Sequence, residues 1–474
     1  MLWLLPALAL GQEVGAILKP EVAIDLAADR PGEDAFESRS WLRAWARGET
    51  GDDATWFLEV RGKHEVLVGA DVEAVFEGDV GESGWEGPAG PFRIKVGNLV
   101  DRWGKLDLLS QVDVINPRDL TAGPLMPAER QRVPVPMGRV SFGNDVLHSH
   151  TTYLPFGGVD RVDQRGSDWS FIRTGMIEDF GADAAEWDGA TAVLLADTVS
   201  AFSDSFENQD PYQRRYTNRG VSYKGFPAAY GYNGEIFQRF AIQGKGYDVA
   251  LMTGNYRTRS AAANLDPGLR TLIQEERFPE FDEQEDLIDS AGDPVRNTWP
   301  RTSMVGLEAS TVIDAFGVRA EGRWLSNEVL RRHWMKSWTA PSLGVGVGVD
   351  WAYGTTVLLS AEASFKQLYN PPTDLVFAAR EHVRVGGSAR VSAAGDRVVF
   401  LAGGAYDAHF GDWLARPTVT WRVSDNVELG AGAVLIEGPA NAPKTLRQAL
   451  QYEGGPGGYW KQNDAATLSV AWIL

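Results

Sequence analysis

The feature that most constrains this chain is a two-residue hydrophobic period, sustained in segments of about 9–12 residues. Over residues 343–353, Leu343, Val345, Val347, Val349, Trp351 and Tyr353 alternate with Gly344, Gly346 and Gly348. Over 355–366, Val357, Leu359, Ala361, Ala363 and Phe365 oppose Thr356, Ser360, Glu362, Ser364 and Lys366. Over 318–324, Val318, Ala320 and Trp324 oppose Arg319, Glu321 and Arg323. Residues 65–77 read as one more such strand, with Val66, Val68, Ala70, Val72, Ala74 and Phe76 against Glu65, Asp71, Glu73 and Glu77. Successive strand side chains point to opposite faces, so each segment has one apolar and one polar or small face. Segments this long suit a tilted bilayer crossing, whereas strands of soluble proteins average ~5–6 residues.

The connections add a second constraint. From about residue 229 onward, short links (243–246, 314–316, 353–354, 393–396, 424–426) alternate with longer ones (255–301, 327–341, 368–380, 407–415, 438–463). Short periplasmic turns and long external loops are the pattern of outer-membrane barrels. Further strands are expected at 39–47, 55–61, 92–99, 146–154, 191–201 and 218–226. The expected fold is therefore all-β: a single transmembrane antiparallel β-barrel over residues 12–474, of about 18 strands within a range of 16–20. In the last strand Leu468, Val470, Trp472 and Leu474 share a face. An outward apolar terminus resembles the signal read by the bacterial barrel-assembly machinery, although those chains usually end in Phe or Trp. Trp41, Trp45, Trp56, Trp324, Trp351, Trp421 and Trp472 are candidates for an aromatic girdle at the headgroups, with ordinary strand propensity as the alternative.

Composition matters at three points. The chain has 474 residues, more than one soluble core usually organises, but a ring of strands grows without enlarging a core. It has no cysteine, which removes disulfides, thiolate metal sites and thiol nucleophiles. Its formal charge of -19 disfavours a nucleic-acid partner. Residues 1–11, beginning MLWLLPALAL, read as a signal peptide without the usual basic start; an N-terminal apolar strand is the alternative.

One stretch breaks the alternation: VGNLVDRWGKLDLLSQVDVINPRDL, residues 96–120, followed by PAERQRVPVPMGRVSFG, residues 127–143. It resembles a porin-like outer-membrane family of Gram-negative bacteria, long catalogued only as a domain of unknown function. That family carries a strand ending in Gly-Arg-Gln, then Trp-Gly, then Asp-x-x-Asn-Pro-x-Asp, and a segment close to Arg-x-Pro-x-Pro-Met. Gly97, Trp103, Gly104, Asp113, Asn116, Pro117, Asp119, Arg132, Pro134, Pro136 and Met137 match, while Asn98 stands where the family has Arg. The resemblance implies fold and location rather than a substrate.

Read on their own, Asn116-Pro117 and Arg118-Asp119 suit a turn. Asp113 and Asp119 flank Arg118, and with Arg102 and Arg132 they form a candidate ion-paired loop (100–136) folded inward as a constriction. The alternative is an external loop of solvated charges. Alternation alone puts Arg43, Arg47, Glu73, Arg319, Glu321, Arg323, Glu362 and Lys366 on the lumen face. Arg39, Arg43 and Arg47 share a face with Trp41 and Trp45, as a lumen ladder for anions or sugars or as a rim strand. His148 and His150 share a face and would suit a metal, but the lumen-facing polar pair is the plainer reading. The acidic run 275–293 falls in the long connection 255–301, read as an external loop of solvated acid or loose cation binding. Gly344, Gly346 and Gly348 lack dinucleotide-site spacing and are expected to bend the strand or keep the lumen open.

The function expected is passive diffusion of small solutes, without catalysis or cofactor. The partners expected are outer-membrane lipid, lipopolysaccharide and an unidentified solute. Two other classes compete. A barrel-borne lipase or protease would need a Ser or Asp with His at the rim. A secreted β-protein acting on polysaccharide would have shorter strands and evenly connected ends.

Overall fold

The computed structural model describes residues 13–26, 36–50, 53–68, 72–121, 123–126, 130–161, 234–265 and 295–474, with single positions at 171, 176, 267, 270 and 274. The strands run in chain order as β1 (Glu13–Asp25), β2 (Phe36–Glu49), β3 (Thr55–Val68), β4 (Val72–Ala89), β5 (Phe92–Leu99), β6 (Val135–Gly143) and β7 (Leu147–Leu154). Next come β8 (Glu235–Gly244), β9 (Tyr247–Arg257), β10 (Ala262–Leu265), β11 (Val295–Thr298), β12 (Arg301–Ile313), β13 (Phe316–Arg332) and β14 (Lys336–Tyr353). The chain ends with β15 (Val357–Leu368), β16 (Leu375–Val376), β17 (Glu381–Ala393), β18 (Val398–Asp407), β19 (Asp412–Ser424), β20 (Val427–Glu437) and β21 (Ala465–Ile473).

The large sheet has 19 strands; without the two-residue β16, 18 remain, and these form a closed antiparallel barrel. Each pairs with its sequence neighbour in the ring, and β21 closes on β1, with Leu18 opposite Trp472 and Val22 opposite Leu468. β10 and β11 form a separate two-stranded antiparallel sheet within the 258–300 connection. Closure leaves the 18-strand ring without a free edge.

The two faces separate as the period requires. Leu18, Leu42, Val60, Val345, Val347, Val349, Phe400 and Leu468 are exposed on the outer face. Trp324, Trp421 and Trp472 also point outward. Trp41 and Trp45 do not: both turn inward, Trp41 under the Arg130 guanidinium at 4.6 Å and Trp45 under Arg43 at 5.2 Å. The girdle assignment fails for these two, because odd positions of β2 are its inner face, opposite Lys19 and Gly15 of β1.

Connections differ between the two ends. One end has only short turns, at 50–54, 90–91, 144–146, 245–246, 314–315, 354–356, 394–397 and 425–426. The other carries the segments 100–134, 155–234, 258–300, 369–380 and 438–464. Two expected long links are shorter than their sequence suggested. β13 and β14 continue to a turn at His333–Met335, where Trp334 and Met335 take positive φ, and 408–411 is a tight turn. Residues 65–77 are a hairpin rather than one strand, with Val68 opposite Val72 and Val66 opposite Ala74. Even positions pair with even positions across it, so the two-residue period runs on through the reversal. The strands expected at 191–201 and 218–226, the acidic run 275–293 and residues 1–11 lie outside the described residues.

At the long-connection end, helices α1 (Leu446–Leu450) and α2 (Pro456–Tyr459) join an aromatic cluster. Phe171 stacks on Tyr459 at 5.4 Å, and Phe377 meets Tyr459 at 5.2 Å and Trp460 at 5.4 Å. Three connections are tied together there by apolar contact.

Candidate functional site

The segment between β5 and β6 turns into the barrel and lies on its inner wall. Its neck is held by Asn116, which is buried and stapled three ways. Its Oδ1 accepts from the Asp101 N–H (2.7 Å), and its Nδ2 donates to the carbonyls of Leu99 (2.9 Å) and Val133 (3.0 Å). Below the neck, Gly97 has φ +151°, and a Cβ there would lie 2.0 Å from the Ser83 carbonyl oxygen. Only glycine satisfies both the backbone and the contact. Asn98 donates to the carbonyls of Val80 (2.8 Å) and Gly81 (2.9 Å), beside a register shift in the β3–β4 pairing. A short amide thus serves carbonyls that the bulge removes from the ladder.

Trp103 is buried edge-on against Phe237 (5.8 Å) and His150 (6.0 Å). Gly104, at φ +99°, passes so close to the wall that a Cβ would lie 2.7 Å from Glu321 Oε1. Three wall carboxylates then receive the loop backbone. Glu308 accepts from Gly104 N–H (3.0 Å). Glu321 accepts from the N–H groups of Lys105, Leu106 and Gln111 and from the Ser110 hydroxyl. Glu362 accepts from the N–H groups of Asp107 (2.7 Å), Leu108 (3.0 Å) and Leu109 (2.9 Å). Arg319 donates to the Lys105 carbonyl, to Asp107 and to Asp350, and Lys105 Nζ reaches Asp248 at 2.6 Å.

The inner-face glycines of β14 do not hold the lumen open. Leu106 occupies the room they leave, with methyl carbons 2.5 Å and 2.7 Å from where Cβ atoms of Gly346 and Gly348 would stand. Further on, Leu125 and Met126 pack with Ala23, Trp41, Val434 and Ile436, on β1, β2 and β20. The segment therefore touches both sides of the barrel interior.

The expected ion-paired cluster forms in part. Asp113 is buried between Arg132 (Nε–Oδ2 3.0 Å) and Arg118 (3.6 Å). Asp119 instead caps Thr121 and pairs with Arg161 at 3.7 Å. Arg102 pairs with Asp107 at 3.0 Å, both largely exposed at the edge of the segment. Pro117 packs where a Cβ on Gly158 would stand, 2.3 Å from its Cγ.

Of the residues assigned to the lumen face by alternation, all but Glu73 sort into three groups. Arg319, Glu321 and Glu362 point inward but lie beneath the segment, so they anchor it and do not line open space. Arg323 and Lys366 share Glu328, at 3.8 Å and 2.8 Å. A bulge between Leu325 and Glu328 shifts the β13 register and aims Glu328 at them. Arg43 points inward, half-exposed, and pairs with Glu59 at 2.8 Å, and Arg47 is exposed on the same face. Glu73 sits opposite Leu67 in the β3–β4 register. His148 and His150 share the inner face of β7 with Thr152, whose hydroxyl donates to Asp101 (2.8 Å). Among the described residues no group of three or more His, Asp or Glu side chains is arranged to hold a metal ion.

Sequence reasoning missed Glu308, Asp248 and Arg239, which pairs with Glu308. The signal was present: Glu308 shares the inner parity of β12 with Met304 and Gly306.

No sequence-family model and no curated protein matches the chain. Solved structures with a similar fold include Acinetobacter baumannii OccAB4, with 8% identity, 98% of each chain covered and a TM-score of 0.47. Pseudomonas aeruginosa OccK5 (OpdH) is similar at 8% identity, 98% of each chain and a TM-score of 0.45. Salmonella typhi OmpF, in complex with daunomycin, is similar at 8% identity, covering 98% of this chain and 97% of its own, with a TM-score of 0.39.

Proposed function

We propose that the protein is a porin-like channel of the bacterial outer membrane, through which small solutes diffuse passively. One observation carries this reading: a closed barrel, apolar outside and polar inside, holds an inward segment fixed by buried carboxylates. An apolar outer band with no free strand edge is what a bilayer accepts. A polar interior narrowed by a rigid segment makes a size- and charge-selective path. The long-connection end then faces outward toward lipopolysaccharide, and the last strand is the element offered to the assembly machinery. The segment 100–134 acts as the constriction, with Arg102, Asp107 and Leu108 at its exposed lip. Arg118 and Arg132 act through Asp113 to brace its base. Kinship with the porin-like family rests on Gly97, Trp103, Gly104, Asn116 and Pro117, each of which has a structural task at the neck or along the wall.

The test is single-channel recording of the refolded protein in a planar bilayer under a salt gradient. Discrete, stable current steps are expected. A protein that keeps its β circular dichroism and heat-modifiable migration but passes no current would overturn the channel reading and favour a barrel-borne enzyme.

A further inference from the structure

Three inward arginines, Arg47, Arg390 and Arg422, are exposed and take no ion pair or side-chain hydrogen bond among the described residues. Their surroundings differ. Arg47 stands opposite Glu13 in the β1–β2 register, and Arg422 opposite Glu428 in β19–β20. Arg390 has no acid beside it. Its cross-strand neighbours are Leu358 of β15 on one side and Leu401 of β18 on the other. Both leucines share the inner parity of their strands, Leu358 with Glu362 and Leu401 with Asp407. They are 42% and 45% exposed, which leaves both open toward the lumen.

The nearby inward carboxylates are occupied. Glu362 holds the loop N–H groups, Asp350 holds Arg319, and Asp407 holds His382 and Arg384. Four residues from Arg390 on the same face lies Gly386, with Leu108 Cδ1 3.3 Å from its Cβ position. Four strand residues span ~13 Å, so the exposed Leu108 of the constriction lip overlooks the same strip of wall. Adjacent strands lie ~4.8 Å apart, which puts a hydrocarbon patch on either flank of one free guanidinium.

A guanidinium fork suits a carboxylate, and flanking leucines suit an apolar body rather than a hydrated inorganic ion. We propose that Arg390, Leu358 and Leu401 form a binding site in the lumen for amphipathic organic anions, a carboxylate joined to a hydrocarbon body, and that this site sets the solute preference of the channel. The proposal rests on the channel reading above.

The test uses hexanoate, acetate and hexylammonium on the full-length refolded barrel, by equilibrium titration and by block of single-channel current. Hexanoate is expected to bind and block more tightly than acetate by at least about threefold, the scale of partly covering the extra methylenes, since both anions make the same ion pair. Hexylammonium is expected to do neither. Arg390→Gln should abolish the hexanoate effect, and the double variant Leu358→Ser, Leu401→Ser should bring hexanoate down to the level of acetate. Equal binding of hexanoate and acetate by the unsubstituted barrel, or an unchanged hexanoate affinity in Arg390→Gln, overturns the site. A barrel that conducts nothing overturns the channel reading instead, and the titration still decides the site.

Discussion

Each oxygen of the Glu321 carboxylate accepts two donors from the inward segment. Oε1 takes the N–H groups of Lys105 and Leu106, and Oε2 takes the Gln111 N–H and the Ser110 hydroxyl. Glu321→Gln replaces one acceptor by a donor that faces two donors. Each donor left unpaired in a buried place costs about 1–3 kcal/mol. The expected result is a looser segment, cut faster by protease within 100–134 and visible as noisier single-channel current. A Glu321→Gln barrel as quiet and as protease-resistant as the parent would move the anchor elsewhere. The inward direction of Glu321 was legible from its place between Arg319 and Arg323, two residues from each. Its burial was not, because parity fixes a direction while exposure depends on what else enters the lumen.

Among elements, the 100–134 segment and the 369–380 connection are held by opposite devices. The first hangs its backbone on buried wall carboxylates. The second is clipped by an ion pair, with Arg332 Nε and its second nitrogen at 2.7 Å and 3.0 Å from the two Asp374 oxygens. This pair docks β16 on β13, with Leu375 opposite Arg332 and Val376 opposite Arg331. Burial alone would raise the Asp374 carboxyl, but the hydrogen bonds and charge of Arg332 outweigh it and hold it below the usual carboxylate range. A carboxyl depressed on folding adds stability above its ordinary range and loses it as pH falls through the folded value. Protection of the Leu375 and Val376 amides against exchange should therefore hold from neutral pH down into the usual carboxylate range and fall away below it, whereas Asp374→Asn should already be weakly protected at pH 7. Protection in Asp374→Asn equal to that of the parent at pH 7 would show that the pair does not hold β16. Hairpins show the limit of local reading at this scale. Within 65–77 even positions pair with even positions, Val66 with Ala74, so the alternation reads the same with or without a reversal and was blind to it.

For the whole molecule, the decisive property is that outer and inner faces meet different solvents. Val347 is 57% exposed on the outer band, while Ser388 points into the lumen across from Ser360. An arginine at the lipid midplane costs about 2–4 kcal/mol, and one in an aqueous lumen costs little. Val347→Arg should therefore lower the yield of heat-modifiable folded barrel, whereas Ser388→Arg should fold normally and reduce conductance. Equal folding of the two would mean that the outer band does not face lipid.

The sequence by itself determined the class of fold, the direction of most strand side chains and the presence of a non-strand insert after β5. These follow from the backbone's two-residue repeat and from local turn chemistry, both written in neighbouring residues. Only the tertiary structure decided which wall the insert lies against, which inward charges it covers, and which arginine is left between two leucines. Those facts depend on contacts such as Gly104 to Glu308, 204 residues apart, and Asp107 to Glu362, 255 apart. No local period records such a contact, because it exists only once the ring has closed and brought the far strands to face the insert.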